Sequence, residues 1–349
     1  MLGKLAGETT IVGVVEWVKW RELWLKQQLD WPRRFPSLAT YIRALAQCDA
    51  EELAQVIAQA LIRARTQQKQ SESQAQSMRQ VAVDGKTLRG TLFHHQEHQP
   101  PVHVLSWYEP QTGIVLAHRA VEHKRNEIST LFPWLSPTLV KDRIITADAM
   151  HTQRALRADV IRFGGHYVLV VKKNQLSLWD ELHTFFTDPQ ADCGEWQEDH
   201  CWNSKHGRLE ERRIRTTTLL NLLCTRHWAG IGQTFALRRR VTHPFKCTQQ
   251  TIYGITSLTP VQASPARLLA LLRFHWHIEN RSHYRRDVTL REDTSQVRTR
   301  GAPLALAALN GAVLALMDWL QVGNVPSQMR RFCARPHEAL TLLLGPLQR

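Results

Sequence analysis

The sequence predicts an α/β fold, in which a mixed β-sheet is flanked by helices and carries a β-rich insertion. Three observations support this class. Residues 80–175 alternate short apolar runs with helical patterns in the order βββαβαβ. Residues 176–262 contain strands with polar faces, which indicate an insertion into that pattern. Residues 263–322 return to apolar helical periodicity and complete the core.

The ends of the chain are predicted to be helical and separate from this core. Residues 1–79 form a small helical unit followed by a polar linker, which covers residues 66–79 and contains almost nothing that can be buried. Residues 11–31 have the spacing of one amphipathic helix. Ser37 and Asp49 are placed to cap two further helices. Residues 323–349 form a basic, loosely helical tail.

The charge of the chain indicates a polyanionic partner. Its 349 residues carry 45 Lys and Arg against 31 Asp and Glu, a formal charge of +14. Nucleic acid fits this balance best, although a basic enzyme with another substrate has the same composition. The six cysteines form no CxxC pair, and the sequence starts with no secretory pattern, so we expect reduced thiols in the cytoplasm. The apolar stretch Leu304–Leu320 predicts a buried core helix, and no membrane partner is expected.

Two predicted strands end on an aspartate. The strand within Gln80–Gly90 presents Asp84, and the strand over residues 142–147 is followed by Asp148. The element order matches the ribonuclease-H-like fold, in which the first and fourth strands lie side by side and parallel. Two carboxylates about 4 Å apart repel by about 4 kcal/mol at an effective dielectric constant of about 20, so this pair favours a divalent cation. The alternative for Asp84 is an ordinary Asp-Gly turn.

A third carboxylate stands on a predicted helix that starts at Ser264 and Pro265 and runs to about Arg286. Glu279 lies one turn from both His275 and His283, which leaves open a zinc site or a plain polar face. Basic residues accompany the three acids. The residues predicted to contact DNA phosphates are Lys86, Arg89, Lys172, Lys173, Arg208 and Arg286. Residues 208–215 and 238–240 form a predicted DNA-backbone surface, for which a solvated strand face is the alternative.

Five segments, in order, resemble the H-repeat-associated family of bacterial insertion-sequence transposases, of the DDE class. They are DGKTLRG at 84–90, TADAMHTQ at 146–153, YVLVVKKNQ at 167–175, HGRLEERR at 206–213 and RFHWHIENRSHYRRDVTLRED at 273–293. The resemblance implies a ribonuclease-H-like catalytic core and a two-metal site. Asp84, Asp148 and Glu279 would be its catalytic residues and metal ligands, with two Mg²⁺ ions for which Mn²⁺ can substitute. Broader relatives carry Tyr, Arg and Lys where this chain has Leu272, His275 and Arg286, and its N-terminal region is shorter than the family's.

The expected function is therefore DNA strand cleavage and strand transfer at the ends of an insertion element. The partners expected are double-stranded DNA, both element ends and target, and a second copy of the chain in a synaptic homodimer. The protein would be cytoplasmic and associated with the nucleoid when bound to DNA. Two alternatives remain open: a non-catalytic DNA-binding descendant of such an enzyme, and a metal-dependent nuclease on the same fold.

Overall fold

The computed structural model describes residues 1–69, 78–92, 101–121, 127–191, 194–205, 207–221, 228 and 230–345. Residues 70–77 of the predicted linker and His206 of the HGRLEERR segment lie outside these residues. The chain divides into two compact units. The first unit comprises Met1–Gln76, Gly85–Glu127 and His277–Arg349, and the second comprises Ser77–Asp84 and Ile128–Trp276.

The second unit contains most of the predicted core sheet together with the insertion. Its strands are β1 (Arg79–Thr87, which continues into the first unit after Asp84), β4 (Arg143–Ala147), β5 (His166–Val171), β6 (Gln197–Lys205), β7 (Arg208–Thr217), β8 (Gln233–His243) and β9 (Lys246–Thr256). Its helices are Glu127–Trp134, Pro137–Val140, Arg154–Arg162, Leu176–Thr187 and Pro265–His275, with short 3₁₀ turns at Ala149–His151, Lys173–Gln175 and Pro189–Ala191.

The sheet of this unit has the strand order β1, β4, β5, β9, β8, β7, β6. β1 pairs with β4, and β4 with β5, in parallel. The strands of the insertion are all antiparallel, and β9 joins the edge of β5. Helix Pro265–His275 packs its leucines, including Leu268 and Leu272, on this sheet against Ile144, Val168 and Phe235. The predicted α/β fold, a mixed sheet flanked by helices, is confirmed.

The first unit combines a hairpin with helices. Strands β2 (His103–Glu109) and β3 (Ile114–Val121) pair antiparallel, and β2 lies next to β1. The α-helices are Leu2–Leu5, Ile11–Trp20, Glu22–Leu29, Leu38–Gln47, Ala50–Lys69, Tyr284–Val288, Ala302–Trp319, Val325–Ala334 and Pro336–Leu344, with a π-helix at Ile278–His283 and 3₁₀ turns at Arg89–Thr91 and Glu292–Thr294. Ser37 and Asp49 cap their helices as predicted, each accepting hydrogen bonds from backbone amides.

Three helical predictions need correction. The helix predicted over residues 11–31 is two helices, separated at Arg21, whose backbone leaves the helical region. The predicted helix that ends near Arg286 stops as an α-helix at His275 and resumes as the π-helix. The C-terminal tail is two defined helices. In a π-helix each backbone amide donates to the carbonyl five residues earlier. The spacing of one α-helical turn predicted between Glu279 and the histidines His275 and His283 therefore does not hold.

The apolar helix near the C-terminus is a core helix, as predicted. Among the described residues, Ala302–Trp319 is the one helix whose length and composition would suit a membrane span, but 89% of it is buried inside the protein. Its residues Leu304, Ala305 and Ala307 pack against Ala50 and Val104 of the same unit.

Candidate active site

The pairing of β1 with β4 places Asp84 beside Asp148. Val83 is the register partner of Ala147, so the next residue on each strand is an aspartate. Neighbouring strands lie about 4.8 Å apart, and side chains at matched positions of a parallel pair point to the same face. Asp84 is half-buried, and the Asp148 side chain is 55% exposed. Both carboxylates therefore lie at one end of the sheet of the second unit, open to solvent.

The neighbours of Asp148 stabilise its ionised carboxylate. Burial raises the pKa of its carboxyl group, but the hydrogen bond from the Ala149 amide and the charge and hydrogen bond of Lys172 together lower the pKa by more, so the net shift is downward. The Ala149 amide donates to Asp148 Oδ1 at 2.7 Å, and Lys172 Nζ lies 3.3 Å from the same oxygen. Asp148 is therefore ionised at neutral pH.

Two hydrogen bonds join the loops that follow β4 and β5. Asn174 donates through Nδ2 to the carbonyl of Ala149 at 2.7 Å, and the Thr152 hydroxyl donates to the carbonyl of Val170 at 2.6 Å. These bonds connect the TADAMHTQ and YVLVVKKNQ segments. They hold the start of the loop after β5, which carries the exposed Lys172, near Asp148.

A buried polar layer lies just below the carboxylates. Gln80 donates through Nε2 to Thr146 Oγ1 at 3.0 Å and to the carbonyl of Leu271 at 2.8 Å, while His275 Nδ1 lies 3.1 Å from the same hydroxyl. Burial lowers the pKa of His275 to about 4, against the opposing effect of Asp148, so its imidazole is neutral. Sequence reasoning did not predict this layer. The one feature of the sequence that could have indicated this layer was Thr146, two residues before Asp148.

Glu279 belongs to the first unit, where the π-helix presents it to solvent. Among the described residues, no group of three or more His, Cys, Asp and Glu side chains is placed to hold a metal ion. The convergence of Glu279 with the two aspartates stays a prediction.

Lys86 and Arg286, two of the predicted DNA contacts, face acidic side chains instead. Lys86 is 6% exposed, with Nζ 2.5 Å from Asp287 and 3.2 Å from Asp293. Arg286 is fully buried, and its Nη2 lies 2.8 Å from Glu292 Oε2. Arg89, Lys172, Lys173 and Arg208 are exposed. Of the six residues predicted to contact DNA, these four present their cationic groups to solvent.

Gly85 follows the first aspartate because a side chain would not fit there. A Cβ atom at this position would lie 2.5 Å from His103 Nε2 and 2.7 Å from the Glu127 carboxylate. These two side chains are buried and 2.6 Å apart, and Thr87 Oγ1 lies 2.9 Å from the other ring nitrogen of His103. Because these two side chains are buried and bonded to each other, they cannot move aside for a Cβ atom. This explains why the DGKTLRG segment has a glycine at this position.

The donor atoms suit a hard divalent cation. Asp84 and Asp148 supply carboxylate oxygens at one solvent-accessible end of the sheet of the second unit. Oxygen ligands of this kind are those that Mg²⁺ and Mn²⁺ prefer. The residues present therefore fit the predicted metal, with two ligands in the second unit.

Comparison with known proteins assigns the chain to a family. Residues 75–314 match the family described as "Transposase DDE domain". The match covers more than half of the chain, which therefore belongs to this family. Relatives from Escherichia coli K12 support the narrower resemblance to H-repeat-associated transposases.

The "H repeat-associated putative transposase YhhI" of Escherichia coli K12 is 26% identical over 234 residues, 64% of this chain and 59% of the relative. The "Putative protein YbfL" of the same strain is 27% identical with the same coverage. The "Putative transposase YncI" of Escherichia coli O157:H7 is 25% identical over 88% of this chain and 78% of the relative. The chain thus spans about 59% of the length of the first two relatives.

Among solved structures, the chain is similar to a piggyBac transposase in a synaptic complex with hairpin DNA. The TM-score is 0.38 and the identity 11%, over 77% of this chain and 55% of that one.

Proposed function

We propose that this protein is a transposase that cleaves DNA strands at the ends of an insertion element and joins them to a target. The observation that carries the proposal is the register that sets Asp84 beside Asp148. Membership of the DDE transposase family supports it. Relatives named as transposases support the same activity, and the basic charge of the chain fits a DNA substrate.

Asp84, Asp148 and Glu279 would hold two Mg²⁺ ions, with Mn²⁺ as a substitute. Glu279 is included on the family resemblance alone. Bound divalent metals would supply an activated water or 3′-hydroxyl and stabilise the departing 3′ oxygen. Hydrolysis and strand transfer would then share one site, with no covalent protein intermediate.

The surrounding residues would prepare that site for a polyanion. Lys172 offsets the charge of Asp148 while the site is empty of substrate, and its flexible, exposed ammonium can move to a phosphate when DNA binds. The neutral imidazole of His275 keeps Thr146 and the end of helix Pro265–His275 in place without adding a cation below the ligands. Asp148 therefore remains available to a metal ion.

DNA would be held by exposed cations. Arg89, Lys172, Lys173 and Arg208 are the predicted contacts that remain, together with the exposed Arg238 and Arg240 of β8. Lys86 and Arg286 are not included, because their charges are already neutralised by buried or half-buried acids. A homodimer in the synaptic complex and a cytoplasmic, nucleoid-associated location belong to the same proposal.

The test is an assay with Mg²⁺ on a plasmid that carries the gene and its flanking DNA, with a second plasmid as target. Joined products support a transposase, cleavage alone indicates a nuclease, and binding alone indicates a non-catalytic descendant. Asp84→Asn, Asp148→Asn and Glu279→Gln should each abolish cleavage and leave DNA binding intact. Asp180→Asn, an exposed aspartate of the same unit as Asp148, is the control that should cleave normally. Cleavage retained by any of the three variants removes that residue from the site.

A further inference from the structure

The insertion extends beyond the core of its unit as a basic arm. We use the name arm for the halves of β6 to β9 that lie farther from the core, which are residues 202–205, 207–213 and 238–251. Residues 246–251 of β9 are exposed on both faces, whereas Tyr253 and Ile255 nearer the core are buried. A strand with no buried face contributes little to a core.

The sequence at the tip of the arm is unfavourable for a hairpin turn. His243 pairs with Lys246, so Pro244 and Phe245 form a two-residue turn. Turns of this length favour residues with positive φ, chiefly Asn and Gly, and neither Pro244 nor Phe245 has a positive φ. Phe245 is also fully exposed, at 101%. A residue that breaks local preference and gains nothing from packing indicates a functional position.

One face of the arm is cationic. Arg213 of β7 lies directly across from Arg238 of β8, and Arg215 and Arg240 follow on the same face by the two-residue alternation of strands. Like charges placed opposite each other destabilise a sheet. Two acids share this face: Glu198 pairs with Arg213 at 2.6 Å and with Arg215 at 3.4 Å, and Glu211 is the register partner of Arg240. Within the described residues, Arg238 has no acidic partner.

Other features of this face suit a nucleic acid. Trp202, 55% exposed, is the register partner of Glu211 and so lies on the arginine face. A cavity of about 260 Å³ opens toward the core end of the face and is lined by Arg213, Arg215, Arg238, Tyr253 and Phe186. Leu209, 43% exposed, lies beside the tip across from Thr242. Arginines with exposed aromatic rings are the usual composition of surfaces that bind DNA backbone and bases.

From these observations we infer that the arm inserts Phe245 between base pairs of duplex DNA, while its arginine face follows the phosphate backbone. Apolar side chains that enter a base step partly unstack it and kink the duplex. Pro244 stiffens the tip, and the surrounding Arg240 and Lys246 hold the phosphates on either side. The inference rests on the proposed function and specifies it further: the preferred substrate is a duplex that can be unstacked. An apolar protein partner is disfavoured by the cationic surroundings of the tip.

The preference for unstacked DNA provides the test. The full chain is titrated by fluorescence anisotropy with a short synthetic duplex and with the same duplex carrying two adjacent central mismatches. Mismatches lower the cost of unstacking. The wild-type protein should bind the mismatched duplex about 10-fold more tightly, the scale of one aromatic-base stacking contact. Phe245→Ala should remove this preference, and Phe245→Trp should keep it.

Two controls separate the possible failures. Val261→Ala removes another fully exposed apolar side chain of the same unit and should leave the preference unchanged. An unaltered preference in Phe245→Ala overturns the inference, as does a change in oligomeric state caused by Phe245→Ala, which would assign the tip to a protein contact. If the wild-type protein binds no duplex, or binds independently of salt, the proposed function itself fails. Circular dichroism and thermal melting verify that each variant is folded.

Discussion

His118 is a buried ionisable residue whose environment keeps it neutral. Its side chain is 1% exposed, and Nδ1 lies 2.9 Å from the Ser106 hydroxyl. Burial lowers the pKa of His118 to about 3, and the nearby Arg286 acts in the same direction. In the unfolded chain the same imidazole titrates near pH 6.5. Between these two pH values the unfolded state binds one more proton than the folded state.

Replacing His118 with Gln should therefore flatten the acid dependence of stability. Because the unfolded state takes up the extra proton, stability is complete above pH 6.5 and falls as the pH is lowered toward 3. At pH 5 the loss from this residue is about 2 kcal/mol. The measurement is the change in Tm between pH 7 and pH 5, which should be smaller for the variant than for wild type. Equal changes in the two proteins would show that His118 is protonated in the folded state.

Lys86 and Lys172 show which part of the candidate site a sequence can predict. Both follow a predicted strand that approaches the site, and both were predicted to contact DNA. Lys172 remains exposed beside Asp148 because the strand register places it there. Lys86 is neutralised by Asp287, an acid about two hundred positions further along the chain. The position of Lys172 follows from the order of the strands, whereas the position of Lys86 depends on tertiary contacts that no local sequence pattern contains.

At the scale of elements, the segment that carries Glu279 is held by a buried ion pair. The π-helix Ile278–His283 leads into Tyr284–Val288, where Arg286 is fully buried against Glu292. Asn310, on the core helix Ala302–Trp319, donates through Nδ2 to Glu292 Oε1 at 3.0 Å. The pair thus links the segment after Glu279 to the most apolar helix of the first unit. Helices with π turns occur often at functional sites.

Glu292→Gln should destabilise the first unit strongly. The substitution leaves the Arg286 guanidinium buried without a countercharge, which costs about 3–5 kcal/mol. Glu338→Gln is the matched control, because Glu338 pairs with the exposed Arg331 and such surface pairs contribute about 0–1 kcal/mol. Chemical denaturation followed by circular dichroism compares the two variants. Arg286→Met combined with Glu292→Gln should recover part of the loss, and a Glu292→Gln variant as stable as the control would contradict the assigned pairing.

The elements themselves were predictable to different degrees. The strands that carry Asp84 and precede Asp148 follow from apolar runs closed by a polar residue, and the Ser37 and Asp49 caps from local chemistry. The predicted end of the first strand at Asp84 was wrong, because β1 continues to Thr87. The break at Arg21 and the π-helix were not predictable, because the periodicity of the sequence continues through both. Strand β6, with Glu198, Trp202 and few apolar residues, has no alternating pattern and forms by pairing with β7.

At the scale of the whole molecule, the excess of positive charge is the property that most favours the DNA partner proposed above. The formal charge of +14 attracts a polyanion over distances larger than any single contact. Binding to phosphates releases counterions, so the affinity should fall steeply as salt is raised. The fold class follows from the order of elements, while the location of the free cations depends on which arginines the acids neutralise.

The salt dependence of DNA binding tests this arrangement. For Arg238→Gln, the slope of log K against log salt concentration should become shallower by about 0.9, the contribution of one phosphate contact. Arg162→Gln is the control, since Arg162 is exposed in the same unit but pairs with Asp159 at 2.8 Å, and its slope should stay that of wild type. Anisotropy titrations over a range of KCl concentrations give the slopes. Parallel lines for wild type and Arg238→Gln would exclude Arg238 from the backbone contacts.

The antiparallel pairing of β9 with β5 has a mechanical consequence. An unbroken ladder of main-chain hydrogen bonds runs from β8 through β9 and β5 to β4, the strand that ends at Asp148. If the tip bends a duplex as inferred, the strand that carries the tip is therefore continuous, through main-chain hydrogen bonds, with the strand that precedes Asp148. Shortening the arm would change the leverage on that strand even if every residue around Asp148 were left untouched.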